Sequence, residues 1–280
     1  MTRQQKIWKG TGVVLSSLRP MLLYLFLPGI LMSMGMLIRR YQGSNDAFIL
    51  ESGNFYSFIS MLLLLWYFER SSRKKGQIFW DEITLYLRRP DRKELRFWIV
   101  CLLFGASSGL FLSALLTAFP FPKGLLGAYT ERSSAIFSGR DLPLAAMTVG
   151  ILAPLTEEIL FRGYMLNRLL TFFSVKQSVV ICGVIFALCH VNPLWMLYAF
   201  GMGLFLCWIA LKKDNILYSV FVHMGFNLPS VAIAVIQSAG PVREWFFGSR
   251  VLIVLYGIIG AASGRLLYRR IRKEEGETGW

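Results

Sequence analysis

Apolar residues in this chain come in blocks of about 20, the length an α-helix needs to cross about 30 Å of hydrocarbon. This constrains the fold more than any single motif. Inside a bilayer, only helices and closed barrels satisfy every backbone polar group. The blocks lie near 20–38, 48–68, 97–119, 142–163, 178–191, 194–211, 216–236 and 251–268, and Glu51 and Gly53 interrupt the second. Mean hydropathy is +0.53 and 55% of the 280 residues are hydrophobic, above the about 45–50% of an average soluble domain. The expected fold is all-α, a polytopic transmembrane helical bundle of about eight spans making one integral membrane domain over residues 1–280.

Charge gives an independent reading of the same count. With the N-terminus inside, the inside segments carry 23 of the 30 Lys and Arg and the outside segments carry 7. That bias is the positive-inside pattern and puts both termini in the cytoplasm. The net charge of +14 therefore belongs to loops facing anionic lipid. No soluble basic domain is present to serve a nucleic acid, so none is expected as a partner. Cys101, Cys182, Cys189 and Cys207 all fall within apolar blocks without C-x-x-C spacing, and read as small buried side chains. The basic stretch Met1–Pro20 leads into the first block without a small-residue cleavage site, as a retained anchor does. Residues 76–93, G-Q-I-F-W-D-E-I-T-L-Y-L-R-R-P-D-R-K, resemble a helix lying in the interface and ending near Pro90. No internal repeat or second domain is visible.

Against this background, T-E-E-I-L-F-R-G-Y at 156–164 stands out. A charged side chain at a helix centre costs at least about 2.5–3.5 kcal/mol. Glu158 and Arg162 are four apart, on one helical face and within pairing reach. Ion pairing accounts for those two residues. Glu157 is turned about 100° away, and a second carboxylate without a local partner is not accounted for. The chain has two histidines, and both fall in predicted spans. His190 closes F-A-L-C-H, which Phe186 opens; His223 opens H-M-G-F-N, with Asn227 one turn on. A lone membrane histidine is commonly just an interhelical hydrogen bonder. The joint pattern, all the histidine and a glutamate pair in three nearby spans, points to function.

At 1.5 Å per residue, Glu157 lies about 10 Å from the inside end of its span, His223 about 10–12 Å, Asn227 about 16–18 Å and His190 about 18–20 Å. The four groups can share a layer of the bilayer. Pro154 and Pro229 each remove a helix bond near them, and broken backbone at membrane depth suits a cavity.

At these residues the chain resembles the CPBP family, the CAAX proteases and bacteriocin-processing enzymes, which includes the type II CAAX prenyl endopeptidase. E-E-I-L-F-R matches E-E-x-x-x-R, F-A-L-C-H matches F-x-x-x-H and H-M-G-F-N matches H-x-x-x-N, in that order, over residues 142–230. The resemblance implies an intramembrane endopeptidase acting on a membrane-associated or lipidated peptide, and it selects Glu157 over Glu158 as base; spacing alone leaves both open. Amide hydrolysis needs an activated water, oxyanion donors and a proton for the leaving amine. In that scheme Glu157 takes the water proton, His190 orients the water, and His223 and Asn227 serve the oxyanion. Glu158, Arg162 and Phe186 support them from behind.

No cofactor is required by this scheme. Glu157, His190 and His223 would also make a legitimate catalytic zinc set, though H-E-x-x-H is absent and Asn227 is a poor zinc ligand. Two other classes fit the same composition. One is a catalytically silent membrane scaffold or immunity protein; the other is a proton-coupled transporter with a Glu–His relay, against which stands the lack of an inverted repeat. The topology has a direct check. A reporter fused after Trp280 should lie in the cytoplasm and one inserted near Ser134 on the opposite side, and a C-terminus found outside contradicts eight spans.

Overall fold

The computed structural model describes residues 3–41, 53–74, 92–137, 142–237 and 249–278, and no strand occurs among them. In chain order the helices are α1 (Arg3–Tyr41), α2 (Gly53–Lys74), α3 (Arg92–Ala118), α4 (Lys123–Phe137), α5 (Leu142–Leu170), α6 (Val175–Leu188), α7 (Pro193–Lys213), α8 (Ile216–Gln237) and α9 (Arg250–Thr278). Five contain stretches long and apolar enough to cross a membrane, in α1, α3, α5, α7 and α9. Val175–Leu188 and Ile216–Ala232 are shorter apolar helices. The chain is an all-α polytopic bundle. The interfacial segment expected over 76–93 lies outside the described residues, except Arg92 and Lys93, which open α3.

Two hydrophobic clusters share α7. Leu64 and Phe68 of α2, Phe161 and Met165 of α5 and Phe186 of α6 meet Ala199 and Cys207 of α7 in the first. Trp98 and Cys101 of α3 and Val222 of α8 meet Leu206 and Ile209 of α7 in the second. The four cysteines are free, and Cys189 alone among them is not fully buried, in keeping with their reading as apolar side chains.

Where the sequence reading expected only an outside loop, the chain forms α4, whose Ile136 carbonyl accepts a hydrogen bond from Asn54 Nδ2 of α2 at 3.0 Å. At 15 residues and carrying Gly124, Gly127, Glu131 and Arg132, it shows no spanning block. The fifth predicted span also needs correction. The apolar pattern runs to 191, but α6 stops at Leu188, and a tight turn leads to Asn192, whose Oδ1 caps the first N–H groups of α7.

α5 is irregular on both sides of the turn that carries Glu157 and Glu158. Two π-helical segments, Thr148–Leu152 and Ile159–Leu166, bracket Ala153–Glu158. Pro154 accounts for the first. It has no N–H to give and its ring would strike a carbonyl one turn back, so the backbone widens. Ala153 N–H then reaches Thr148 O, and Pro154 has no N–H to offer the Val149 carbonyl five residues back.

α8 is set in place by α3. Gly105 and Gly109 of α3 and Gly225 of α8 let the two backbones touch: a Cβ at Gly105 would sit 2.0 Å from Val222 O, and one at Gly225 would sit 2.3 Å from Leu102 O. In a membrane, small residues that admit such approach are the main source of helix association. Gly105→Ala should therefore push the helices apart and cost about 1–3 kcal/mol or more of stability. Gly201→Ala, where a Cβ meets nothing within 4 Å, should be harmless; thermal unfolding in one detergent reads both.

Candidate active site

Glu158 sits at the end of the regular turn of α5 and is 0% exposed, with Arg162 at 1%. Arg162 Nη1 donates to Glu158 Oε1 at 2.7 Å. The widened helix keeps this four-residue pair on one side while the guanidinium reaches outward. Its Nη2 donates to Gly203 O of α7 at 3.1 Å, and its centre lies 4.6 Å from the Phe186 ring of α6. The α6–α7 approach that allows this is tight, since a Cβ at Gly203 would stand 3.2 Å from both Gly183 Cα and the Phe186 ring.

Glu158 Oε1 has a second partner, His223 Nδ1 of α8, at 2.9 Å. A carboxylate can only accept, so Nδ1 carries the proton there. The other nitrogen, Nε2, lies 3.8 Å from Glu157 Oε2. His223 thus stands between two consecutive carboxylates of α5. Its ring packs edge-on against Phe186 with centroids 5.8 Å apart.

Glu157 faces the other way, into a cavity of about 340 Å³ that His190, His223 and Asn227 also line. The sequence reading found no local partner for Glu157. The structure supplies a distant one: Tyr24 of α1 donates its hydroxyl to Glu157 Oε1 at 2.5 Å. Glu157 Oε2 is buried and makes no hydrogen bond. Tyr24 gives no sequence signal, being one aromatic residue in an apolar block, and the reading of residues 1–120 missed it. Tyr129 of α4 is a further lining residue it missed.

His190 is not within a membrane helix, as the sequence reading had it. It lies in the α6–α7 turn, where His190 N–H reaches Ala187 O at 3.0 Å and Val191 takes a left-handed φ of 60°. A β-branched residue rarely adopts that conformation. His190 Nδ1 meets the Phe186 carbonyl at 2.9 Å; a carbonyl accepts, so the proton is on Nδ1 and Nε2 keeps its lone pair. Asn227 Nδ2 donates to Val149 O at 2.9 Å, the carbonyl five residues before Pro154. One N–H of its amide remains.

Among the described residues no three His, Cys, Asp or Glu side chains are close enough together to hold a metal ion.

Comparison with known proteins falls on this same region. Residues 139–229 match the family described as type II CAAX prenyl endopeptidase Rce1-like, roughly a third of the 280 residues. The chain is 27% identical over 145 residues to UPF0177 protein YxdF of Lactococcus lactis, covering 51% of this chain and 78% of that protein. It is 29% identical over 132 residues to an uncharacterized 24.3 kDa protein of Escherichia coli, covering 45% of this chain and 58% of that one. No solved structure matches.

The Glu158 network makes a prediction that does not depend on activity. Glu158→Ala leaves the Arg162 guanidinium buried without its anion, a loss of about 3–5 kcal/mol. Purified yield and melting temperature should both fall sharply; an unchanged melting temperature would show that the pair carries no structural weight.

Proposed function

We propose, from the premise that residues 139–229 are of the type II CAAX prenyl endopeptidase Rce1-like kind, that this protein is an intramembrane endopeptidase using Glu157 as its base. The observation that carries the reading is the division of labour between adjacent carboxylates. Glu158 is enclosed and its Oε1 is shared by Arg162 and His223. Glu157, unlike Glu158, lines the cavity, and its Oε2 lies 3.8 Å from His223 Nε2. That separation is too long for a direct bond and is one that a water bridges.

In this mechanism a water in the cavity gives its proton to Glu157 Oε2 as its oxygen attacks the scissile carbonyl. His190 Nε2, with its lone pair free, accepts the water's other hydrogen and fixes its direction. The carbonyl oxygen becomes an oxyanion. The spare N–H of Asn227 and Nε2–H of His223 donate to it, each donor contributing about 10²–10³-fold. His223 is then doubly protonated, and Glu158 offsets its charge through Nδ1. The four groups Glu157, Glu158, Arg162 and His223 then sum to zero charge, with both ring nitrogens of His223 protonated. As the C–N bond breaks, Glu157 returns its proton to the leaving amine. Arg162 and Phe186 hold Glu158 and the two histidine rings in register.

The substrate reading is a membrane-associated peptide. The matched family's description names a prenyl endopeptidase of CAAX sequences, and the cavity wall carries Trp195, Tyr198 and Phe226, an apolar surface for a lipidated or membrane-embedded chain. In this proposal both termini face the cytoplasm.

The test is cleavage of a prenylated CAAX peptide and its unprenylated counterpart by purified protein in lipid. Glu157→Gln keeps size but cannot take a proton; it should abolish turnover at normal yield and melting temperature. His190→Ala should be nearly as severe, and Asn227→Ala should retain a residual rate because one oxyanion donor remains. Wild-type turnover in Glu157→Gln would end the assignment of Glu157 as the base.

A further inference from the structure

One element of the site lies outside the family-matched segment. Tyr24 belongs to α1, 133 residues before Glu157. Val14, Leu18, Met21, Tyr24 and Leu27 pack against the first hydrophobic cluster, spaced as one helical face. Leu22, Leu23, Phe26 and Ile30 of the same helix point away and are exposed. The Tyr24 ring is therefore held by the packed stripe, and its hydroxyl is aimed at the cavity that it lines.

The bond it makes has a specific consequence. The terminal torsion of a glutamate is broad and two-fold, so a carboxylate in an open cavity can present either oxygen in many orientations. A hydroxyl donating to Oε1 pins one oxygen. The other oxygen then has a single direction, toward His223 Nε2.

We infer that Tyr24 is a positioning residue for the reaction: it holds Oε1 of Glu157 so that Oε2 meets the substrate water. The inference rests on the protease reading above, and it assigns to α1 a part in the site that the matched segment lacks. Tyr24 donates its hydrogen throughout and forms no bond to substrate. The proton that Glu157 takes resides on Oε2.

The experiment uses the full-length protein in lipid with the prenylated CAAX peptide. Tyr24→Phe keeps the ring and deletes the hydroxyl. We expect kcat to fall about 10–100-fold, the usual effect of losing such a supporting bond, with KM within about twofold. A structural role for Tyr24 would instead lower yield and leave the kcat of the folded fraction intact. A thermal-unfolding cycle adds a readout that needs no activity. Tyr24→Phe should lower the melting temperature of the wild type and have no such effect in Glu157→Ala, where the acceptor is gone.

Wild-type kcat in Tyr24→Phe alongside an inactive Glu157→Gln overturns the positioning role and leaves the protease reading standing. Active Glu157→Gln overturns the assignment of Glu157 as base on which the inference rests, while the unfolding cycle still reports on the bond. An equal loss of melting temperature in both backgrounds shows that Tyr24 does not act through Glu157.

Discussion

Arg162 is among the largest fully buried side chains of the described residues, and its charge has to be answered within the protein. Moving such an ion out of water costs several kcal/mol even after relaxation. The answers come from four helices: Glu158 one turn earlier on α5, the Gly203 carbonyl of α7, the Phe186 face of α6 and, through Glu158, the His223 ring of α8. Each answer needs its helix at one height and rotation. A single ion pair in low dielectric thereby fixes the relative placement of α5 through α8, and the glycines at 183 and 203 are what allow the guanidinium to reach a backbone carbonyl.

The same arrangement sorts two adjacent carboxylates into different roles. Consecutive helical residues diverge by about 100°, so locking Glu158 into the bundle turns Glu157 toward the cavity. α8 then has to deliver both His223 and Asn227, which depends on its glycine contact with α3. Asn227 also repairs the backbone, since its amide satisfies Val149 O beside the proline-widened turn. An irregular helix is tolerated at membrane depth when neighbouring side chains take up its freed polar groups. Here the side chain doing so is one that lines the cavity.

Part of this was legible in the sequence. The apolar blocks announced a helical membrane bundle, because hydrocarbon permits few alternatives. The pairing of Glu158 with Arg162 followed from four-residue spacing, a local property that survives even the π-helical distortion of α5. Other features were misread. His190 was placed inside a span, yet it lies in a turn, because apolar residues run on through Leu188–Val191 and hide the helix end. α4 carries no helical signal of a span because its 15 residues mix glycine and charge.

The sequence by itself therefore determined the class of fold, the spacing of the charged pair and the short list of polar groups able to do chemistry. Each of those depends on neighbours within a turn or two, or on the uniform demand of the bilayer. Tertiary structure alone decided which of these groups meet. The bond from Tyr24 to Glu157 spans 133 residues and that from Asn227 to Val149 spans 78. Such contacts are fixed by how closely glycine-lined helices approach and by which buried polar atoms are left to be satisfied, quantities that no local pattern encodes.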